Sequence, residues 1–207
     1  MYENLLANVP TDLWIGGQWR KSSDGQRFDV IDPATERKVA SVASATVDDA
    51  IAALDAAEAA FPAWAAKKPR ERGEILRKAF ELIMRDAERL AKLITLENGK
   101  ALPDSRGEVA YAAEFFRWNA EEAVRNLGSM SVAPASGARI LVQHKPAGIA
   151  VLVTPWNFPA AMATRKIGPA LAAGCPVVLK PASDTPLTML ALMPILEETG
   201  VPAGVVN

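Results

Sequence analysis

The chain has 207 residues but only one cysteine, Cys175, and one histidine, His144. A single cysteine excludes an internal disulfide, and the two residues together cannot build a cysteine/histidine metal cage, so no metal is expected. One lone thiol fits a reducing, cytoplasmic setting. Charge of one sign is lacking too: 23 basic and 24 acidic side chains leave a formal net charge of −1. These charges are well mixed, so the basic footprint of a nucleic-acid binder is missing and no nucleic-acid partner is expected. Long apolar runs are absent. The longest, near 149–153 and 170–179, fall short of a bilayer span, and Gly174 and Pro176 interrupt the second, so no membrane partner is expected either. Residues 1–10 carry Glu3 and no basic segment followed by an apolar one, which does not read as a signal peptide. There is also no Gly-x-Gly-x-x-Gly after a strand and no Walker-type loop, so a dinucleotide bound here is not held by the standard fingerprint.

Half of the residues are hydrophobic, enough to bury a core of one large or two small domains. The first forty or so residues read as short strands and turns. Trp14-Ile15 and Trp19 flank a Gly16-Gly17 turn, and Phe28 to Ile31 stops at Asp32-Pro33. Helices follow. Thr46 with Asp49 resembles a capping box, and Ile51, Leu54, Ala57 and Phe61 continue at helical spacing. Pro69 suits the first turn of a second helix, and Asn98-Gly99 a left-handed end to a third. A fourth opens near Pro103-Asp104 and ends before Gly128.

From Gly128 the texture changes. Residues 128–138 read as an exposed crossover, and Arg139 to Lys145 as a half-buried or edge strand. Ile149 to Val153 is a continuous apolar strand, Ala160 to Ala173 a helix, Val177 to Leu179 a buried strand and Pro186 to Thr199 a helix stopped by Gly200. Strand, helix, strand, helix at these lengths predicts an α/β fold with a parallel, Rossmann-type sheet surrounded by helices. The expected divisions are 1–127, strands and helices; 128–146, a strand and crossover; and 147–207, the first βαβα part of the sheet.

Candidate chemistry sits where the two apolar strands end, which is where open α/β sheets place ligands. The first strand leads into Thr154-Pro155-Trp156-Asn157-Phe158-Pro159, the second into Lys180-Pro181-Ala182-Ser183. Asn157 is either a turn former bonded to its own backbone or an oxyanion donor, a role worth roughly 3 kcal/mol at a developing charge. Lys180 is either a solvated surface charge or, with Ser183, a clamp for a ribose phosphate; Ser183 alone reads as a helix N-cap. Cys175 has small, apolar sequence neighbours and reads as an inert buried residue rather than a nucleophile. His144, on an expected strand without a nucleophile in motif context, reads as a surface or packing residue.

At these residues the chain resembles the aldehyde dehydrogenases. The likeness is carried by Pro155-Trp156-Asn157-Phe158-Pro159, Gly168-Pro169-Ala170-Leu171-Ala172-Ala173-Gly174, Lys180-Pro181-Ala182 and Gly200-Val201-Pro202-Ala203-Gly204-Val205-Val206-Asn207. It extends back through Glu97-Asn98-Gly99-Lys100 to Ile31-Asp32-Pro33-Ala34-Thr35. The resemblance implies that Asn157 helps form an oxyanion hole, that Thr154, Pro155, Trp156 and Asn157 contact a nicotinamide cofactor, and that Lys180, Pro181, Ala182 and Ser183 hold its adenosine ribose. Serine at 183, where NAD-preferring members often carry glutamate, implies NADP, with NAD left open by Asp184 next door. Thr164-Arg165-Lys166 is similar to succinate-semialdehyde dehydrogenases, which implies that Arg165 binds the carboxylate tail of a semialdehyde; the other reading of Arg165 is a structural salt bridge.

The resemblance also implies a homo-oligomer, with the strand near 139–145 in a shared arm. In the family a cysteine thiolate adds to the aldehyde to form a thiohemiacetal, hydride passes from it to the nicotinamide to leave a thioester, and a glutamate-activated water hydrolyses that thioester. The positions of that cysteine and glutamate lie beyond residue 207, so the expectation is an N-terminal portion, truncated before the catalytic domain, that is inactive in isolation. The alternatives are a non-catalytic nucleotide-binding or assembly module of the same descent, or a dehydrogenase for another aldehyde.

Overall fold

The computed structural model describes residues 3–207. A short helix, α1 (Glu3–Leu6), precedes two antiparallel hairpins. Strands β1 (Leu13–Ile15) and β2 (Gln18–Arg20) close around the Gly16-Gly17 turn, with Trp14 opposite Trp19. Strands β3 (Arg27–Ile31) and β4 (Lys38–Ala43) form the second pair. The strand at Lys38–Ala43 was not expected. Its alternation is blurred by Ala40 and Ser41, and pairing with Arg27–Ile31 is what holds it extended.

Four helices follow: α2 (Val47–Ala66), α3 (Pro69–Arg85), α4 (Ala87–Asn98) and α5 (Leu102–Glu122). The capping box forms as expected, with Asp49 N–H donating to Thr46 Oγ1 at 3.2 Å and Thr46 N–H to Asp49 Oδ2 at 2.9 Å. Gly99 ends α4 at φ 77°, where Pro33 Cγ would stand only 2.9 Å from any Cβ. Only glycine fits that corner, which turns α4 sharply into α5.

Residues 128–138 are not a crossover but half of a hairpin. Strand β5 (Ser129–Val132) pairs antiparallel with β6 (Arg139–Val142), and both are exposed along their whole length. Of the two readings of 139–145, half-buried or edge strand, the edge strand forms, over Arg139–Val142, leaving His144 exposed in the following loop. The alternation of 139–145 allows a sheltered face, but no other element among the described residues covers it.

The parallel sheet is built from β7 (Ala150–Val153) and β8 (Val177–Lys180), with Val206 bridged in parallel to Val177. Helix α6 (Ala161–Ala173) connects the strands and α7 (Leu187–Glu198) follows the second. Their apolar sides join α3, α4 and α5 in one core around Trp64, Phe116, Leu76, Ile83, Leu93 and Ile167. Strand β7 has one open face: Val151 and Val153 are 63% and 62% exposed, while Leu152 faces inward. Asn207 ties the first hairpin to this sheet, accepting from Gly16 N–H at 2.8 Å through Oδ1. No helix among the described residues is long and apolar enough to cross a membrane.

Candidate active site

The parallel register sets Val153 opposite Lys180, and Thr154 N–H donates to Lys180 O at 3.3 Å. The two motif segments thus leave the sheet side by side at the carboxyl ends of β7 and β8, as the topology of an open sheet requires. Thr154 is buried and Pro155 exposed; Trp156, Asn157 and Phe158 form an exposed loop. Lys180 and Ser183 are exposed and Pro181 and Ala182 half-buried. Lys180 Nζ lies 3.3 Å from Ser183 Oγ, donating to it.

Residues Lys180–Ser183 form the lip of a cleft of about 640 Å³ between β8, α7 and the N-terminal strands. Trp14, Phe28, Leu179 and Met193 make its walls largely apolar, with a polar lip, the usual make-up of a small-molecule site. The loop of Trp156 and Asn157 stands outside this cleft, beside it. Ser183 is not a helix N-cap, because α7 begins at Leu187 after Pro186.

Asn157 does not behave as a turn former. Its side-chain amide makes no hydrogen bond with any described residue, whereas its backbone oxygen accepts from Lys100 Nζ at 2.9 Å. Asn98 Nδ2 donates to the neighbouring Trp156 O at 2.9 Å, and the Thr185 hydroxyl approaches the same oxygen at 3.4 Å. Lys100 Nζ also sits 3.8 Å above the Phe158 ring centroid. The loop is pinned through its backbone and its amide is free.

Two buried carboxylates complete the arrangement. Glu108 on α5 accepts from Ala160 N–H at 2.9 Å and Ala161 N–H at 3.3 Å, and pairs with Lys100. Glu97 on α4 accepts from Leu187 N–H at 2.6 Å, Thr188 N–H at 2.8 Å and the Thr188 hydroxyl. Each therefore caps the positive end of a helix that follows a sheet strand. Burial pushes Glu97 up to about 7, against the pull of its three donors and helped by the nearby charge of Glu108. Because these helix ends already hold protein carboxylates, neither is open to a phosphate, in keeping with the missing glycine-rich fingerprint.

The sequence reading assigned Glu97, Lys100 and Glu108 no role; their spacing around Gly99 at a helix corner was the available signal. Arg165 is exposed on α6, with no ion pair among the described residues; its guanidinium lies 3.8 Å from Met162 Sδ and 5.9 Å from the Phe115 ring centroid. The structural salt bridge is not formed. Cys175 is buried and free. The fold gives it a charged neighbour that sequence adjacency hid: the buried Arg72, whose pKa is lowered by burial while Cys175 acts in the opposite direction.

Fold and site together define an α/β protein of the open parallel-sheet class, with a cleft beside the carboxyl end of β8. A model of the aldehyde dehydrogenase family matches residues 19–207, and the chain belongs to that family. A succinate-semialdehyde dehydrogenase of Paenarthrobacter nicotinovorans is 56% identical over 82% of this chain and 38% of its own length. The succinate-semialdehyde dehydrogenase [NADP(+)] of Escherichia coli K12 is 48% identical over 93% of this chain and 40% of its own. A crystal structure described as an E. coli NADP-dependent enzyme superposes with a TM-score of 0.94 at 46% identity, covering 99% of this chain and 42% of the other. The chain thus spans about two fifths of the length of the relatives it matches.

Proposed function

We propose that these residues form the oxyanion and cofactor-ribose side of an enzyme that oxidises succinate semialdehyde to succinate, with NADP preferred. The observation that carries the reading is the Asn157 amide, exposed and free of protein partners among the described residues on a loop whose backbone is held from both sides. A nucleophile adding to an aldehyde places negative charge on the carbonyl oxygen, and an amide N–H already in place stabilises it without reorganisation. When bound, the nicotinamide cofactor supplies the hydride acceptor.

Lys180 and Ser183 fit the ribose end of that cofactor. An exposed cation and a hydroxyl 3.3 Å apart, at the lip of an apolar cleft, offer donors to a 2′-phosphate and present no carboxylate between them. Replacing Ser183 with glutamate is expected to lower the NADP-to-NAD ratio of kcat/KM by about tenfold or more, through like-charge repulsion. Steady-state assays with both cofactors check this in an enzyme of the relatives' full length that carries these 207 residues. An unchanged ratio removes the phosphate reading and leaves NAD.

Arg165 supports the semialdehyde assignment. Its fork of donors is unpaired with any carboxylate among the described residues, on the helix that leads out of the Asn157 loop. Arg165→Met is expected to raise KM for succinate semialdehyde about 10- to 100-fold, the worth of a charge-assisted hydrogen bond. KM for propanal, which has no carboxylate, should stay within about twofold. Equal changes for the two aldehydes sink the assignment and leave a dehydrogenase of another aldehyde.

The free, buried thiol of Cys175 supports a reducing, cytoplasmic setting. Assembly into a homo-oligomer is supported by the β5–β6 hairpin, which holds Met130, Val132 and Leu141 in solvent on two exposed strands.

A further inference from the structure

Asn157 can act on a substrate only if its backbone is held, because an exposed loop is mobile unless its polar groups are tied down. The ties come from one corner of the fold. Asn98 and Lys100, either side of Gly99, donate to the successive carbonyls of Trp156 and Asn157. Glu108, nearly two turns into α5, accepts from the backbone of Ala160 and Ala161 just beyond the loop. Lys100 joins these attachments into one unit, because its ammonium pairs with Glu108, reaches Asn157 O and covers the Phe158 ring.

The pair is sheltered. The Glu108 side chain is 0% exposed and that of Lys100 14%, so water competes little with their pairing, while the contact to Asn157 O lies at the exposed edge of the loop. A buried carboxylate needs such a partner. The further contact to Asn157 O, however, adds nothing to neutralising Glu108; its consequence is the orientation of the asparagine.

We propose that Lys100, backed by Glu108 and helped by Asn98, is a positioning residue that aims the Asn157 amide at the reacting oxygen. The proposal deepens the oxyanion role assigned to Asn157 and rests on it. Lys100 touches no reacting atom. Its effect passes through the asparagine, so it must vanish when the asparagine amide is gone.

A double-mutant cycle in the full-length enzyme tests this. Lys100→Met keeps the apolar stem and removes the ammonium. It is expected to lower kcat about 10- to 100-fold, the cost of misplacing a catalytic group by about an ångström, with KM changed less than about threefold. In the Asn157→Ala background the same substitution should lower kcat by less than about threefold. Equal losses in both backgrounds, or no loss beside an intact Asn157, overturn the proposal and leave the pair a structural staple. If Lys100→Met does not fold, Asn98→Ala runs the same cycle: it removes the tie to Trp156 O without unpairing a buried charge. A full-rate Asn157→Ala enzyme refutes the oxyanion role itself. A slow Asn157→Ala enzyme with additive Lys100→Met refutes only the positioning.

Discussion

Asn157→Ala is expected to lower kcat by about two to three orders of magnitude in an enzyme of the relatives' length, because one oxyanion donor is worth that much in a preorganised site. The structure supports a loss in kcat rather than in folding. The amide makes no hydrogen bond to a described residue, so its removal leaves no buried partner unsatisfied; the loop stays anchored through the carbonyls of Trp156 and Asn157. The melting temperature should move by no more than about 2 °C, as for an exposed polar substitution. Steady-state and single-turnover rates with succinate semialdehyde measure the effect. A rate unchanged within about threefold shows that the amide does not meet the developing charge.

Glu97→Leu should cost at least about 3 kcal/mol of stability, because two backbone N–H groups and one hydroxyl lose their acceptor in a dry site. Helix α7 has no other cap: Pro186 at its N-cap position offers no side-chain acceptor, and its first turn has no acidic residue. Calorimetry should show a melting temperature lower by about 5 °C or more. An unchanged value means that the α7 terminus does not depend on Glu97.

The same carboxyl also carries a pH signature. Burial, reinforced by Glu108, raises Glu97 from 4.5 to about 7, so across that window the folded state holds its proton more tightly than the unfolded state. Its contribution is complete below the window and is lost as the pH rises through about 7. Between pH 5 and pH 8 the parent protein should therefore lose more stability than Glu97→Gln, which cannot titrate. Parallel melting curves for the two proteins would refute the raised value.

Much of the fold was legible because its signals are local. Thr46 with Asp49, Pro69 at a helix start and Gly99 at a helix end each act within one turn of chain, and all three appear in place. The apolar runs before Thr154 and Pro181 likewise predicted β7 and β8. Lys38–Ala43 and Ser129–Val132 escaped notice because small residues dilute their alternation and a partner strand holds them extended. The continuous apolar run of β7 carries no mark of its open side, and only the structure shows Val151 and Val153 exposed to solvent.

The site divides along the same line. Chain order and residue type alone place Asn157 and the Lys180–Ser183 segment at adjacent strand ends, since a strand–helix–strand unit of this length has one way to fold. Charges are different, because Glu97, Lys100 and Glu108 read as ordinary polar residues around a helix corner until α6 and α7 pack over them. Hydrophobic period and cap chemistry are properties of a few neighbouring residues, so the sequence by itself determined the elements and their order. Burial depends on what distant segments cover, so only the tertiary structure decided which carboxylates cap α6 and α7, which lysine holds the Asn157 loop, and that the asparagine amide has no partner among the described residues.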